Sequence, residues 1–449
     1  MVFNNLLFLF GFLPITWIAY RTIKKPEAKN IFLFAASLLF YAFGSWQDLV
    51  VLVIFGIWTF VSGLEMEARP EYKKQICIGS IAFLIAVLCF YKYIPYWFDE
   101  LKIAFPIGIS FYTFSAVSYL ADVYTKKTPV QKDPVAFGLY LAFFGKVNMG
   151  PISEYHQLES QLVRRNQTLK QCGQGMLMFI RGLVKKVVLA DQIAVAYTLL
   201  GTDTSFLGAW LLGLAYTFQL YFDFSGYSDM AIGLGKMFGF EIPINFDHPY
   251  IATSVQDFWR RWHIALSQWF RDYVYIPLGG NRVGEQKYIR NILIVWILTG
   301  IWHGPNLTFI VWGLYYGLLL LAEHYWFKKR LDRFPRWMRI VLVFLIANIG
   351  WVFFSNPTIG QAFTQLKNMI GVGVSSFASD RAIYVLTSYG LIFATCVLFS
   401  STLFSQLFEK TIQKKFGKQV WLGVYLAAFA VCVIMIVAST SHTFLYFAF

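Results

Sequence analysis

Apolar runs long enough to cross a bilayer recur along almost the whole chain, and a helix needs roughly 18 or more mostly apolar residues to do so. They fall near residues 5–20, 30–44, 47–64, 75–93 and 105–122, and again at 174–200, 206–222, 291–302, 306–325, 338–354, 383–400 and 419–440. With no water in hydrocarbon to satisfy backbone groups, such a chain folds as helices that close their own hydrogen bonds. The expected fold is therefore an all-α polytopic membrane protein of about eleven or twelve spans, with re-entrant and in-plane helices between them. Composition agrees. Of 449 residues 57% are hydrophobic and only 14% charged, against about 25% charged in soluble domains.

The net charge of +14 does not mark a nucleic-acid binder, because Lys and Arg gather in short loops between apolar runs. "RTIKKPEAK" (21–29), the loop around Lys73 and Lys74, "YTKKTPVQKD" (124–133), "KKRLDRFPRWMR" (328–339) and "KTIQKKFGK" (410–418) read as cytoplasmic. This places the N-terminus outside. The opening "MVFNNLLFLFGFLP" has no basic n-region or small-residue cleavage site and reads as a retained first span. Cys77, Cys89, Cys172, Cys396 and Cys432 lie singly, with no metal spacing and no disulfide framework.

The pattern changes over 134–170, where a short apolar piece is broken by Gly145, Gly150 and Pro151 and is too short to span. A mixed region, 223–290, is too polar to span and holds most of the chemistry-bearing side chains. Within it, "SVQDFWRRWHIALSQWFR" (254–271) has an amphipathic helical period. Val255, Phe258, Trp262, Leu266 and Trp269 form its apolar stripe, and Gln256, Arg260, His263, Ser267 and Arg271 share another face. Ser254 is placed to cap it, with Asp257 completing a box-like pair. Such a helix suits the membrane surface or the rim of a polar cavity, where arginines hold an anionic substrate. Upstream, Asp223 and Asp229 follow directly on an apolar span and are expected to be structural, capping helix ends or pairing with Lys236 or Arg260.

His303 is set differently, in "GIWHGPN", where Gly300, Gly304 and Pro305 interrupt an apolar run on both sides. Irregular backbone at membrane depth is tolerated where it lines a cavity, and a neutral imidazole there suits proton transfer from an attacking hydroxyl. A buried histidine bonded to a carbonyl is the competing reading. No G-x-S-x-G elbow, H-E-x-x-H, P-loop or Cys/His metal spacing competes with it.

"FPIGISFYTFSAVSYLADVY" (105–124), "YFDFSGYSDMAIGLGKMFGF" (221–240), "NFDHPYIATSVQDFWRRWHIALSQWFRDYVYIPLGGNR" (245–282) and "RNILIVWILTGIWHGPNLTFIVWGLYYGLLL" (290–320) resemble the membrane-bound O-acyltransferase family. The likeness is greatest to its bacterial alginate O-acetyltransferase-like branch, itself related to the D-alanine transferase of teichoic acids. It implies one membrane-embedded domain over 1–449, with N-terminal spans at 1–133, a catalytic core at 134–330 and C-terminal spans at 331–449. It implies catalytic His303 and His263, and a substrate-binding set of Arg260, Trp259, Arg261, Ser267 and Asn306, with no metal. No bound cofactor is implied, and acetyl-CoA or another acyl thioester is the donor substrate. The location implied is the bacterial cytoplasmic membrane, among its lipids, with a polysaccharide acceptor. A separate extracytoplasmic acetyltransferase of the SGNH-hydrolase type is the expected protein partner. Two alternatives stay open: D-alanine transfer from a carrier protein, and a non-enzymatic flippase of lipid-linked sugars. One departure is "VNMGPI" (147–152), with Asn148 and Met149 where the family usually has small residues.

Overall fold

The computed structural model describes residues 1–439, apart from 102 and 166, together with 444 and 445. Among the described residues there is no strand, and the chain is helical almost throughout. In order the helices are α1 (Leu13–Thr22), α2 (Pro26–Ala42), α3 (Trp46–Ala68), α4 (Lys73–Trp97), α5 (Ile109–Tyr124), α6 (Pro134–Ala142), α7 (Tyr155–Val163), α8 (Leu169–Val184), α9 (Asp191–Leu200) and α10 (Phe206–Phe238). After them come α11 (Val255–Arg261), α12 (Ile264–Phe270), α13 (Glu285–His303), α14 (Leu307–Ala322), α15 (Lys328–Leu331), α16 (Arg336–Ser355), α17 (Ile359–Met369), α18 (Asp380–Ser400), α19 (Leu403–Ile412) and α20 (Gly417–Ala438). Among the described residues a short π-helical segment, Phe8–Phe12, leads into α1, and three more, Lys185–Ala190, Arg271–Tyr275 and Glu323–Phe327, are inserted between later helices.

Among the described residues six stretches are long and apolar enough to cross a membrane: Trp46–Ala68, Pro70–Trp97, Leu307–Leu331, Arg336–Ser355, Asp380–Ser400 and Gly417–Ala438. The remaining apolar runs fold as shorter or more polar pieces; 174–200, for instance, becomes α8, a π segment and α9. The region from 223 does not begin with a loop. α10 continues to Phe238, because the carboxylates that a lipid-facing helix would exclude have basic partners.

The chain divides into two compact units: Met1–Gly182 with Tyr227–Ile244 and Ile436–Phe449, and Leu183–Gly226 with Asn245–Met435. The first is built around phenylalanines. Phe8, Phe40 and Phe144 lie fully buried with ring centroids 5.7 to 6.5 Å apart. A Cβ on Gly175 would stand 2.5 Å from the Gly233 carbonyl oxygen, so glycine lets these two helical backbones touch. Asn148 and Met149, the departure from the family pattern, are buried, and the Asn148 backbone lies against Gly108. Gly108 has φ +79° and no room for a Cβ beside the Val147 carbonyl, so glycine allows this close backbone approach.

The second unit is built around tryptophan and tyrosine. Trp312, Trp351 and Tyr316 are almost wholly enclosed, with the centroids of Trp312 and Trp351 6.1 Å apart. Buried polar groups pair internally: Asn348 donates to Thr217 Oγ1 at 2.8 Å, and the Tyr250 hydroxyl donates to the Thr217 carbonyl at 2.8 Å. Both candidate histidines belong to this unit.

Candidate active site

The stretch 254–271 carries the apolar stripe that its period indicates; Val255, Phe258, Trp262, Leu266 and Trp269 are all buried. It is not one helix, however. α11 ends at Arg261, and Trp262 turns extended. His263 then takes a left-handed conformation, φ 43° and ψ 54°, which non-glycine residues rarely adopt. The cause is Asn245. Its backbone oxygen accepts the Ile264 N–H at 3.0 Å and its Oδ1 accepts the Ala265 N–H at 3.2 Å, so it docks the start of α12. At the other end, Ser254 accepts the Asp257 N–H, while the Asp257 carboxylate takes the Thr253 N–H and the Arg261 guanidinium.

His263 is thereby removed from the polar face on which the period placed it. Its side chain is buried, and Nδ1 lies 3.2 Å from the same Asn245 Oδ1. Because that oxygen already accepts from Ala265, Nδ1 carries the proton and donates, leaving Nε2 as the acceptor nitrogen. Burial pushes the ring's pKa down to about 3, so the imidazole is neutral. Phe224 meets it edge-on at 4.7 Å.

His303 is the last residue of α13, and three residues, Gly304 to Asn306, lead into α14. Two glycines bring the helices into backbone contact. A Cβ on Gly300 would lie 2.4 Å from the Phe309 oxygen, and one on Gly313 2.3 Å from the Trp296 oxygen. His303 sits buried at the end of this hairpin among rings: Trp302 at 4.8 Å, Phe354 at 4.9 Å, Trp312 at 5.0 Å and Phe309 at 6.2 Å. Trp302 also lies 6.3 Å from His263, so one indole neighbours both imidazoles. Asn306 is the N-cap residue of α14, but its side chain makes no cap hydrogen bond.

Beside these groups is a cavity of about 480 Å³, within the range of small-molecule sites. Gln256, Trp259, Arg260, Ser267, Gln268 and Arg271 form one wall, and Tyr288, Glu323, His324 and Lys328 face them. The sequence-derived face is thus brought together without His263. Arg261 is also absent from this wall, held instead by Asp257 at 2.9 Å and Asp247 at 3.4 Å. Arg271 is paired with Asp272. Arg260 and Lys328 make no ion pair among the described residues, which leaves two cations for a ligand. The cavity wall is one ring away from His303, since Trp312 lies 5.6 Å from Trp259 and 5.0 Å from the imidazole.

Three polar arrangements escaped sequence reasoning. Glu323, buried in the π segment after α14, accepts the Val255 N–H at 2.6 Å and the Gln256 N–H at 3.3 Å, capping α11 from 68 residues away. Asp223 pairs with Lys186 at 2.7 Å, and Lys186 also meets Asp191 at 2.7 Å; Asp229 pairs with Arg181 at 3.1 Å. The partners are therefore neither Lys236 nor Arg260, because α8 and the π segment after it supply nearer cations. In the first unit, Asp122, Glu154 and His156 have ligand atoms close enough to hold a divalent ion. There the Lys127 ammonium already approaches Glu154 at 3.2 Å and Asp122 at 3.7 Å. No sequence spacing marks these pairs, although the Asn245 signal lay within the quoted "NFDHPY" motif.

The class of this helical membrane chain is given by its sequence: the model of the membrane-bound O-acyltransferase family matches residues 132–357, and the chain is a member of that family. It is 37% identical over 395 residues to the probable alginate O-acetylase AlgI of Pseudomonas aeruginosa, covering 83% of this chain and 75% of that one. It is 35% identical over 428 residues to the peptidoglycan O-acetyltransferase of Helicobacter pylori, covering 84% and 81%. To the teichoic acid D-alanyltransferase of Bacillus subtilis it is 26% identical over 363 residues, covering 74% and 91%. The protein is thus a multi-pass membrane-bound O-acyltransferase.

Proposed function

We propose that this enzyme moves an acetyl group from acetyl-CoA, at the cytoplasmic face of the bacterial cytoplasmic membrane, toward a polysaccharide acceptor outside. The observation that carries the reading is the cavity wall with uncommitted Arg260 and Lys328, one indole away from buried His303. Phosphate groups of the donor suit the two cations, and the acyl end of a long thin donor suits the ring-lined interior. Higher identity to relatives named O-acetylases than to the D-alanyltransferase favours acetyl over D-alanine.

His303 acts at the reacting carbonyl. As general base it takes the proton of the acceptor hydroxyl while that oxygen attacks the thioester carbon; the C–S bond breaks and the thiol leaves with a proton returned from the ring. As acyl carrier a ring nitrogen forms a C–N bond while the C–S bond breaks, the thiolate leaving with the proton of the other ring nitrogen; the acceptor oxygen then displaces the ring from the acetyl carbon and returns its proton to the imidazole. In both, positive charge develops on the ring at the carbonyl end of α13, where the helix dipole stabilises it. His263, neutral and held by Asn245 with Nε2 as its acceptor nitrogen, helps orient the donor. Arg260, Trp259 and Ser267 bind the donor, while Arg261 shapes α11 through Asp257, and Asn306 sits beside the acyl end. The acceptor is completed outside by a separate transferase of the SGNH-hydrolase type.

The test uses proteoliposomes loaded with doubly labelled acetyl-CoA, with acceptor and partner transferase outside. Acetyl label outside and CoA label retained inside is the expected result. Intact donor or lipid-linked sugar emerging with no acetylated acceptor overturns it, and efficient use of a D-alanyl carrier protein in place of acetyl-CoA selects the second reading.

A further inference from the structure

The segment that joins α14 to α16 carries a charge pattern that the cavity accounts for only at Lys328. Lys328, Lys329, Arg330, Arg333 and Arg336 are all exposed, and none of them makes an ion pair among the described residues. Some cations elsewhere, such as Arg69, Lys132 and Arg181, each meet a carboxylate. The acidic group within residues 326–337, Asp332, is taken by Arg339 at 3.0 Å. Interleaved with the cations are four exposed aromatic side chains, Trp326 and Trp337 at 66% and Phe327 and Phe334 at 46% and 48%.

The position supplies the occupant. The segment joins the ends of two stretches that are long and apolar enough to cross the membrane, Leu307–Leu331 and Arg336–Ser355, so both its arms lie at one headgroup layer. Aromatic rings at span ends settle at that depth, and unpaired Lys and Arg there attract negative lipid. An acidic soluble protein would complement the charge but would leave the four rings in water. We propose that residues 326–337 form a docking surface for anionic phospholipid headgroups, with the rings in the acyl boundary and Lys329, Arg330, Arg333 and Arg336 on the phosphates. Anionic lipid gathered there lies next to the cavity, since Lys328 belongs to both. The proposal stands apart from the acyl-transfer reading, because lipid retention is measured without any substrate.

The experiment measures spin-labelled phosphatidylglycerol and phosphatidylcholine at the boundary of the full chain, reconstituted in phosphatidylcholine vesicles. The immobilised fraction is expected to favour phosphatidylglycerol several-fold at low salt, to fall at high salt, and to lose most of its selectivity in K329Q/R330Q/R333Q/R336Q. A milder variant, R330Q/R333Q, is expected to lie between, and keeps the test decisive where the fourfold variant fails to insert. Equal retention of the two lipids by the unaltered protein overturns the proposal. So does an equal loss of selectivity in K410Q/K414Q/K415Q/K418Q, which removes the same charge from a different loop. Binding of an acidic carrier protein that depends on the segment, with no lipid preference, assigns the surface to a protein instead.

Discussion

The two histidines of the second unit are both buried, yet they are held by opposite means. His263 is fixed by polar groups and by its own backbone: a left-handed turn, a hydrogen bond to Asn245, and α12 docked on the same asparagine. His303 is set at the end of a hairpin whose helices touch at glycines, with four rings around it among the described residues. The difference teaches that burial alone does not assign a role. A ring whose proton position is dictated by a neighbour suits orientation, whereas a ring walled by hydrocarbon beside a helix terminus suits a change of charge or bonding.

The strongest way to break this comparison is to exchange the outcomes. His303→Ala is expected to lower acetyl transfer by at least about 100-fold, the scale of a lost general base, with insertion and abundance unchanged. Ester formation at the unaltered rate would remove His303 from the mechanism. Gly300→Ala comes next. Its Cβ meets backbone, which cannot swing aside, so the hairpin separates; overpacking of this sort costs about 1–3 kcal/mol. A lower thermal midpoint and a clear fall in kcat are expected together, and a neutral result would show that the cage does not depend on the hairpin contact.

His263→Ala is expected to be milder than His303→Ala, by roughly tenfold in activity, and His263→Asn sharpens the reason. Asparagine tolerates the left-handed backbone, so it restores folding while leaving the imidazole absent. If asparagine also restores activity, His263 matters only as a turn. Arg260→Ala addresses the wall between the histidines and solvent. It should raise the apparent KM for acetyl-CoA about tenfold, the value of one hydrogen-bonded charge, with a smaller change in kcat.

The smallest effect is on stability against pH. His263 is neutral in the folded protein and titrates near 6.5 when unfolded, so the unfolded chain binds more protons in acid. Its contribution is complete above that pH and declines as pH falls toward about 3. Between pH 7.5 and 5.5 the loss is about 1 kcal/mol. Thermal melts in detergent should show a slope over this range that His263→Asn reduces, and identical slopes would argue against a neutral buried ring.

What the sequence revealed and what it concealed follow one physical line. The break at His303 is written in adjacent residues, Gly300, Gly304 and Pro305, and the buried stripe of 255–269 is written in a local period. The inversion of His263 depends on Asn245, the cap of α11 on Glu323, and the neutralisation of Asp223 on Lys186. These partners come from other elements. A helical period encodes which face of an element is apolar; it carries no record of which distant side chain will end that element or share its charge.

The hairpin of α13 and α14 also bears on the order of assembly. Only three residues separate the helices, so closing them costs little chain entropy, and their contact can form as soon as residue 322 has entered the membrane. Phe354, the ring of the cage that does not come from the hairpin, is synthesised more than thirty residues later, near the end of α16. During synthesis His303 therefore exists first in a three-walled, open setting, and the chain acquires its enclosed imidazole only when α16 inserts.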